Sequence, residues 1–253
     1  MAEAPLLDIR DVWKAFGGVR AVAGVSFALW PGEMRAVIGP NGAGKTTLFN
    51  LLTGQLACDH GRILFRGEEI GGLPPHRIAR KGIGGTFQVP AAFRSLTVRE
   101  NVQAALLARE GHSRDMLSQA AIGRVDATAG ALLTQVGIAG LAGAGCGTLS
   151  LSDLKRLGLS LALAGEPSLL LLDEPTAGMS VGERSALMTL VSSVVRERGL
   201  TVLFTEHDMD VVFASATRIL VMHQGRVLAE GSPGEVRGNR DVQQVYLGMP
   251  VDD

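Results

Sequence analysis

Gly39-Pro40-Asn41-Gly42-Ala43-Gly44-Lys45-Thr46-Thr47 is the stretch from which the rest of the chain is read. The apolar run Ala36-Val37-Ile38 precedes it and Leu48-Phe49-Asn50-Leu51-Leu52 follows it. Its glycines therefore fall where a buried strand turns into a helix. Gly39, Gly42 and Gly44 permit backbone conformations and close approaches that a Cβ would block, so that successive N–H groups can face phosphate oxygens. The helix that opens at Lys45 adds the positive end of its dipole. In the pattern G-x-x-x-x-G-K-[ST], Lys45 supplies a mobile ammonium for the β- and γ-phosphates and Thr46 a hydroxyl for Mg²⁺. The motif does not say what the nucleotide is used for.

Composition bounds the answer. The 253 residues are 46% hydrophobic and 19% charged, the balance of one large or two small globular domains. A net charge of −1 and 4% aromatic residues give no electrostatic or stacking case for a nucleic-acid partner. Cys58 and Cys146 lie far apart without metal-ligand spacing, and are expected to be small buried hydrophobes in a reducing compartment. The N-terminus lacks a cationic stretch followed by an apolar core, and no run reaches the ~18 apolar residues of a membrane span. The cytosol is the expected setting, and work at a membrane would need another chain to hold the protein there.

Outward from the motif, Leu6 to Trp13, Val25 to Leu29 and Gly61 to Arg66 read as strands, with Phe16 in a connection ahead of Gly17-Gly18. Phe16 is either a core edge or a stacking face for a base. His76 to Lys81 reads as a short basic helix with a solvated face. From Thr86 the character changes to helical sequence: a capping box at Thr97 to Glu100, a stop at Gly137, and a last helix starting near Ser150-Leu151-Ser152-Asp153. The α/β pattern then returns. Ser168 to Leu172 is a continuous apolar run ending in Asp173-Glu174, as a buried parallel strand with acids at its C-terminal end would be. A helix from Gly182 to Arg198, a strand Thr201 to Thr205 ending at Glu206-His207, and a hairpin about His223-Gln224-Gly225 follow. The tail from Ser232 is polar, with one short helix expected around Asp241 to Leu247.

Asp173 is placed to hold Mg²⁺, and Glu174 to polarise a water in line with the γ-phosphate. His207 becomes a γ-phosphate contact in that company. In this order the phosphate loop, Gln88, the helix start at Leu149-Ser150, Asp173-Glu174 and His207 resemble the ATP-binding cassette (ABC) ATPases along nearly the whole chain. The finer resemblance is to the ATP-binding subunits of branched-chain amino acid importers and their urea and amide relatives. It is carried by Phe16-Gly17-Gly18-Val19-Arg20-Ala21-Val22, Thr86-Phe87-Gln88, Thr205-Glu206-His207-Asp208-Met209 and Val245-Tyr246-Leu247-Gly248.

The resemblance implies an α/β fold: a P-loop NTPase (RecA-like) core with an N-terminal antiparallel β-subdomain and an inserted helical subdomain. Its parts would be 1–85 and 164–231 for the core with the β-subdomain, 86–163 for the helical subdomain and 232–253 for the tail. It implies ATP and Mg²⁺ as cofactors, Phe16 as the adenine-stacking aromatic, Glu174 as catalytic base and His207 as switch histidine. Gln88 would touch both Mg²⁺ and the membrane partner. It also implies a head-to-tail dimer with a second ABC subunit, in which each ATP lies between one phosphate loop and the other chain's signature helix at Ser150 and Ser152. Permease subunits would dock the dimer on the cytoplasmic face of the inner membrane, and a solute-binding protein would act indirectly. Two positions depart from the family pattern. Ser152 stands where the signature has glycine, and Ser180 where many members have Asp or Asn.

Other classes are open to test. A soluble cassette for DNA repair or translation would usually bring two cassettes or a long coiled-coil insertion, and no heptad array is present. A small-molecule kinase would need an arginine-bearing lid and leaves Leu149-Ser150 and His207 unaccounted for. A regulatory, partly degenerate cassette rests on Ser152 alone.

Overall fold

A computed structural model describes residues 4–86, 92–109 and 119–245. Two sheets organise it. In the first, β1 (Leu7–Phe16) lies between β2 (Val19–Leu29) and β4 (His60–Phe65), all antiparallel, with the two-residue β5 (Glu68–Glu69) at the edge. Phe16 is the last residue of β1, paired with Val19 across a turn at Gly17-Gly18, rather than a residue of an open connection. The glycine pair lets the chain reverse at once, so the strands run further than their apolar alternation suggests.

The second sheet has the order β10-β9-β3-β8-β7-β6. Its members are β3 (Met34–Ile38), β6 (Ile83–Thr86), β7 (Leu169–Asp173), β8 (Thr201–Thr205), β9 (Arg218–His223) and β10 (Arg226–Gly231). All pair parallel except the β9–β10 hairpin. Because side chains alternate along a strand, the apolar runs feed two separate cores. Ala36, Ile38, Leu170, Leu172, Val202 and Phe204 face one cluster, and Val37, Leu169, Leu171 and Leu203 the other. Burial on both faces is what turns these strands into continuous apolar runs.

One face receives α1 (Lys45–Leu52) and the antiparallel sheet. The other receives α6 (Val181–Arg198) and the helical block α3 (Val98–Arg109), α4 (Gln119–Gln135) and α5 (Leu151–Ala164). The capping box opening α3 forms as its sequence predicts: Thr97 N donates to Glu100 Oε2 at 2.7 Å and Glu100 N to Thr97 Oγ1 at 3.2 Å. The buried residues of these three helices form one cluster with the sheet face. Smaller helices are α2 (Pro75–Arg80), α7 (Met209–Ser215), α8 (Pro233–Gly238) and α9 (Arg240–Val245). The helix α8 adds to the single tail helix that the sequence predicts; Ser232 and Glu235 form its capping box, with Pro233 in the first turn. Both cysteines are free, Cys146 buried and Cys58 only half-buried.

Candidate functional site

Three adjacent strands end on the same edge of the parallel sheet, where ligands of open α/β sheets bind. β3 runs into the glycine loop, β7 into Asp173-Glu174, and β8 into Thr205-Glu206-His207. The register places Thr205 opposite both Val37 and Asp173. Segments far apart in sequence thus meet in a cleft of about 530 Å³ lined by residues 41–47 together with Val19 to Ala21, Glu174, His207 and Gln224.

The loop is tightly boxed. Gly39 (φ 154°) and Gly44 (φ 101°) adopt backbone that side chains rarely take. A Cβ at Gly39 would collide with the Met222 carbonyl, and one at Gly44 with the Ala21 carbonyl. The β9–β10 turn, with Gln224 and Gly225 both at positive φ as a two-residue hairpin favours, braces the loop from outside. Gly225 N donates to the Ala43 carbonyl at 3.0 Å, and Ala23 N of β2 donates to the Gly225 carbonyl at 2.8 Å. Lys45 is buried, its Nζ donating to the carbonyls of Gly39 (2.6 Å) and Pro40 (3.2 Å). Burial pulls the Lys45 ammonium below its ordinary pKa, while the charges of Glu174 and Asp173 act to keep it protonated.

The acidic end is equally specified. Thr205 Oγ1 donates to Asp173 Oδ1 at 2.6 Å and accepts from Glu174 N at 2.9 Å. Glu174 takes a left-handed backbone (φ 46°), a conformation that costs a non-glycine residue about 1–3 kcal/mol and needs support from its surroundings. Its Oε1 lies 2.8 Å from His207 Nε2. Its carbonyl accepts from Lys155 Nζ and from Ala177 N, both at 3.2 Å. Glu206 is buried and points away from catalysis: Oε1 accepts from Thr176 N and Oγ1 at 2.9 and 2.6 Å, and Oε2 from His207 N at 3.1 Å. Asp208 caps α7, accepting from Asp210 N and Val211 N. Arg184 reaches it from α6 at 2.6 Å and also donates through Nε to the Met179 carbonyl at 2.8 Å. The Arg184 guanidinium holds the Asp208 carboxyl below the usual aspartate range.

Among the residues singled out from sequence, Lys45, Glu174 and His207 line the cleft with residues 41–47, and Asp173 stands behind them on Thr205. Phe16 does not line it; the residue is 47% exposed, and its cross-strand partner Val19 does line it. Ser150 and Ser152 lie outside the cleft as well. Ser150 caps α5, its Oγ accepting from Asp153 N at 3.1 Å and donating to Asp153 Oδ2 at 2.6 Å. Ser180 caps α6 in a capping box with Glu183. Gln88 lies outside the described residues. Lys155, Thr205, Glu206 and Arg184 belong to the site without having been singled out. The signal for Glu206 is a charge at an otherwise apolar strand end.

The residues fit a nucleoside triphosphate. Two glycines hold the loop where any Cβ would strike a neighbouring carbonyl, a buried ammonium faces the loop, and a helix N-terminus follows it. For a divalent cation the described side chains offer the Thr46 hydroxyl and the Asp173 carboxylate. That sparse oxygen set suits Mg²⁺, which retains waters and takes substrate phosphates as ligands.

Residues 22–177 match the family described as ABC transporter, and residues 226–248 the family described as branched-chain amino acid ATP-binding cassette transporter. The chain is 38% identical to the high-affinity branched-chain amino acid transport ATP-binding protein BraF of Pseudomonas aeruginosa, covering 96% of this chain and 98% of that one. It is 37% identical to LivG of Escherichia coli K12, which carries the same description, with the same two coverages. Among solved structures, the ADP conformation of MJ1267, an ATP-binding cassette of an ABC transporter, superposes with a TM-score of 0.86. That pair shares 28% identity over 97% of this chain and 99% of the other. The cbiO1 subunit from Clostridium perfringens superposes at 0.79 with 32% identity, covering 98% of this chain and 97% of its own.

Proposed function

This chain belongs to the ATP-binding cassette transporter family, and from that premise we propose that it powers a membrane importer for branched-chain amino acids. The observation that carries the reading is the meeting of Lys45, Glu174 and His207 in one cleft with the glycine loop. The solute class is supported by the match at residues 226–248 and by the description of BraF and LivG. A soluble, non-transport cassette is not favoured, since those relatives are transport proteins.

In this reading the loop amides and Lys45 hold the β- and γ-phosphates, and the Phe16 ring stacks on adenine. Thr46, Asp173 and Gln88 hold Mg²⁺, which when bound offsets the phosphate charge. Glu174 takes the proton from the attacking water. With its proton on Nε2, His207 donates to Glu174 Oε1 and so orients the carboxylate toward that water. Ser150 and Ser152 contact the ATP held by a second cassette, so the active unit is a dimer. The working parts are residues 1–85 and 164–231, the helical block 86–163 and the tail 232–253. No helix among the described residues is long and apolar enough to cross a membrane. Permease subunits hold the dimer at the cytoplasmic face and select the solute together with a binding protein.

Two variants test the enzyme. Lys45→Ala is expected to lose nucleotide binding and turnover together, because the ammonium pairs with phosphate charge before and during reaction. Glu174→Gln is expected to bind ATP, stop turnover and elute from a sizing column as a dimer. Wild-type turnover by Glu174→Gln would remove Glu174 from the base role. The solute is tested by uptake of labelled leucine into vesicles carrying the chain with its multi-span partners. ATP-dependent uptake of urea or an amide in its place would overturn the solute assignment.

A further inference from the structure

Five described non-glycine residues have positive φ, and Glu174 is the one that carries the candidate base. Left-handed backbone persists at such a residue only where its surroundings over-determine it. Here two buried side chains grip the peptide groups on either side of its Cα. Thr205, fully buried, accepts from the Glu174 N–H at 2.9 Å, and Lys155, 8% exposed, donates to the Glu174 carbonyl at 3.2 Å.

We propose that Lys155 and Thr205 are positioning residues that hold Glu174 in its left-handed turn and so aim its carboxylate into the cleft. The proposal rests on reading Glu174 as the base.

Packing alone does not call for these residue types. Lys155 is one of the buried residues of α5, a helix step of four from Leu159, where an unbranched apolar side chain would fill the same volume without desolvating an ammonium. Burial acts against its charge, and Glu206, Glu174 and Asp173 act to retain it. An apolar side chain could not supply the charged donor that the ammonium brings to the Glu174 carbonyl. Thr205 is likewise one hydroxyl in an otherwise apolar strand end, Val202-Leu203-Phe204. Its Oγ1 serves two neighbours at once, donating to the Asp173 carboxylate at 2.6 Å while accepting from the Glu174 N–H. One hydroxyl therefore ties the Asp173 carboxylate to the Glu174 peptide group. The two tethers come from different parts of the fold, Thr205 from the sheet and Lys155 from the helix that Ser150 caps. The orientation of Glu174 thus depends on where α5 sits against the end of β7.

The test compares Lys155→Met, Thr205→Val, Thr205→Ser, Glu174→Gln and the double variant Lys155→Met/Glu174→Gln. Each is read for ATP turnover, for affinity by titration with a fluorescent ATP analogue, and for melting temperature. Lys155→Met and Thr205→Val are expected to lower kcat about 10- to 100-fold, the scale of a misaimed catalytic group. Nucleotide affinity is expected to stay within about twofold, which separates the effect from lost binding. Thr205→Ser keeps the hydroxyl and is expected to turn over near the wild-type rate. The double variant is expected to be no slower than Glu174→Gln, since no carboxylate remains to be aimed. Wild-type kcat in Thr205→Val overturns the proposal. So does a Thr205→Ser as slow as Thr205→Val, or a further loss when Lys155→Met is added to Glu174→Gln. If Lys155→Met fails to fold, the valine and serine variants at position 205 decide. Normal turnover in Glu174→Gln would sink the base reading itself, whereas an inactive Glu174→Gln beside a fully active Lys155→Met and Thr205→Val sinks the positioning role alone.

Discussion

Phe16, 47% exposed, closes β1 with the Lys14 ammonium 5.6 Å from its ring centroid. A half-exposed aromatic whose cross-strand partner lines the nucleotide cleft is placed for stacking more than for packing. Phe16→Ala is expected to weaken ATP binding by about 1–2 kcal/mol, the scale of a base–aromatic stack, without changing turnover at saturating ATP. An unchanged affinity in a fluorescence titration would leave the ring as the end of a hairpin. At this scale the sequence is legible where chemistry is encoded locally. Lys45 follows glycines between a strand and a helix, and Asp173-Glu174 ends an apolar run. Thr205 and Lys155 are illegible for the opposite reason. A threonine in a strand reads as a good strand former and a lysine in a helix as a solvated one. Only the assembled fold puts the threonine between β3 and β7 and brings the lysine of α5 to the Glu174 carbonyl.

Among the elements, α5 and α6 start beside each other: a Cβ on Gly178, just before α6, would press on Leu151 Cδ2 at 2.9 Å. Ser152 lies in the first turn of α5, where N–H groups have no intrahelical acceptor and are available to a partner's phosphate. In the proposed dimer a side chain there would stand between that amide and the partner's phosphate. A misplaced donor of this kind costs at most about 3–4 kcal/mol of transition-state stabilisation. The isolated chain is therefore expected to be a slow ATPase that Ser152→Gly accelerates, and less so beside a second cassette whose signature is intact. Equal turnover of wild type and Ser152→Gly would mean that the serine is tolerated. At the start of α6, Arg184 tethers the Met179 carbonyl to Asp208 and so to the His207 segment. Because Arg184 depresses the Asp208 pKa, the pair contributes stability above the ordinary aspartate range and loses it as pH falls through the lower folded value. Arg184→Met should thus melt below wild type at neutral pH, with the gap closing toward strong acid. A gap independent of pH would show that Arg184 acts through packing. Caps made the long helices readable, as at Thr97 and Ser150. The two-residue β5 and the six-residue α8 carry too little periodicity to stand out from the turns around them.

For the molecule as a whole, the α/β order was legible because both faces of the parallel sheet are covered, which writes its strands as unbroken apolar runs. The surface for partners is less so, since exposure is not encoded in a residue's type. Phe93 is 63% exposed beside an apolar groove of about 340 Å³ that also includes Leu96 and Leu107. Its backbone is fixed at both ends by Asn101, whose Oδ1 accepts from Phe93 N at 2.7 Å and whose Nδ2 donates to the Phe93 carbonyl at 3.1 Å. The ring can therefore change without unseating the chain. Phe93→Asp is expected to leave melting and the ATPase of the isolated protein near wild type while uncoupling hydrolysis from uptake in the complex. Normal uptake would place the permease contact elsewhere.

The strand order has a bearing on synthesis. β3 pairs only with β8 and β9, yet β3 ends at Ile38 and β8 begins at Thr201. At roughly 5–20 residues per second, this largely apolar strand and the glycine loop attached to it wait roughly 10–30 s on the ribosome before any in-sheet neighbour emerges. The loop is thus made long before Glu174 and His207, and ATP can stabilise the nascent chain only once about four-fifths of it has been made. Quality control during translation must shelter β3 without help from the nucleotide.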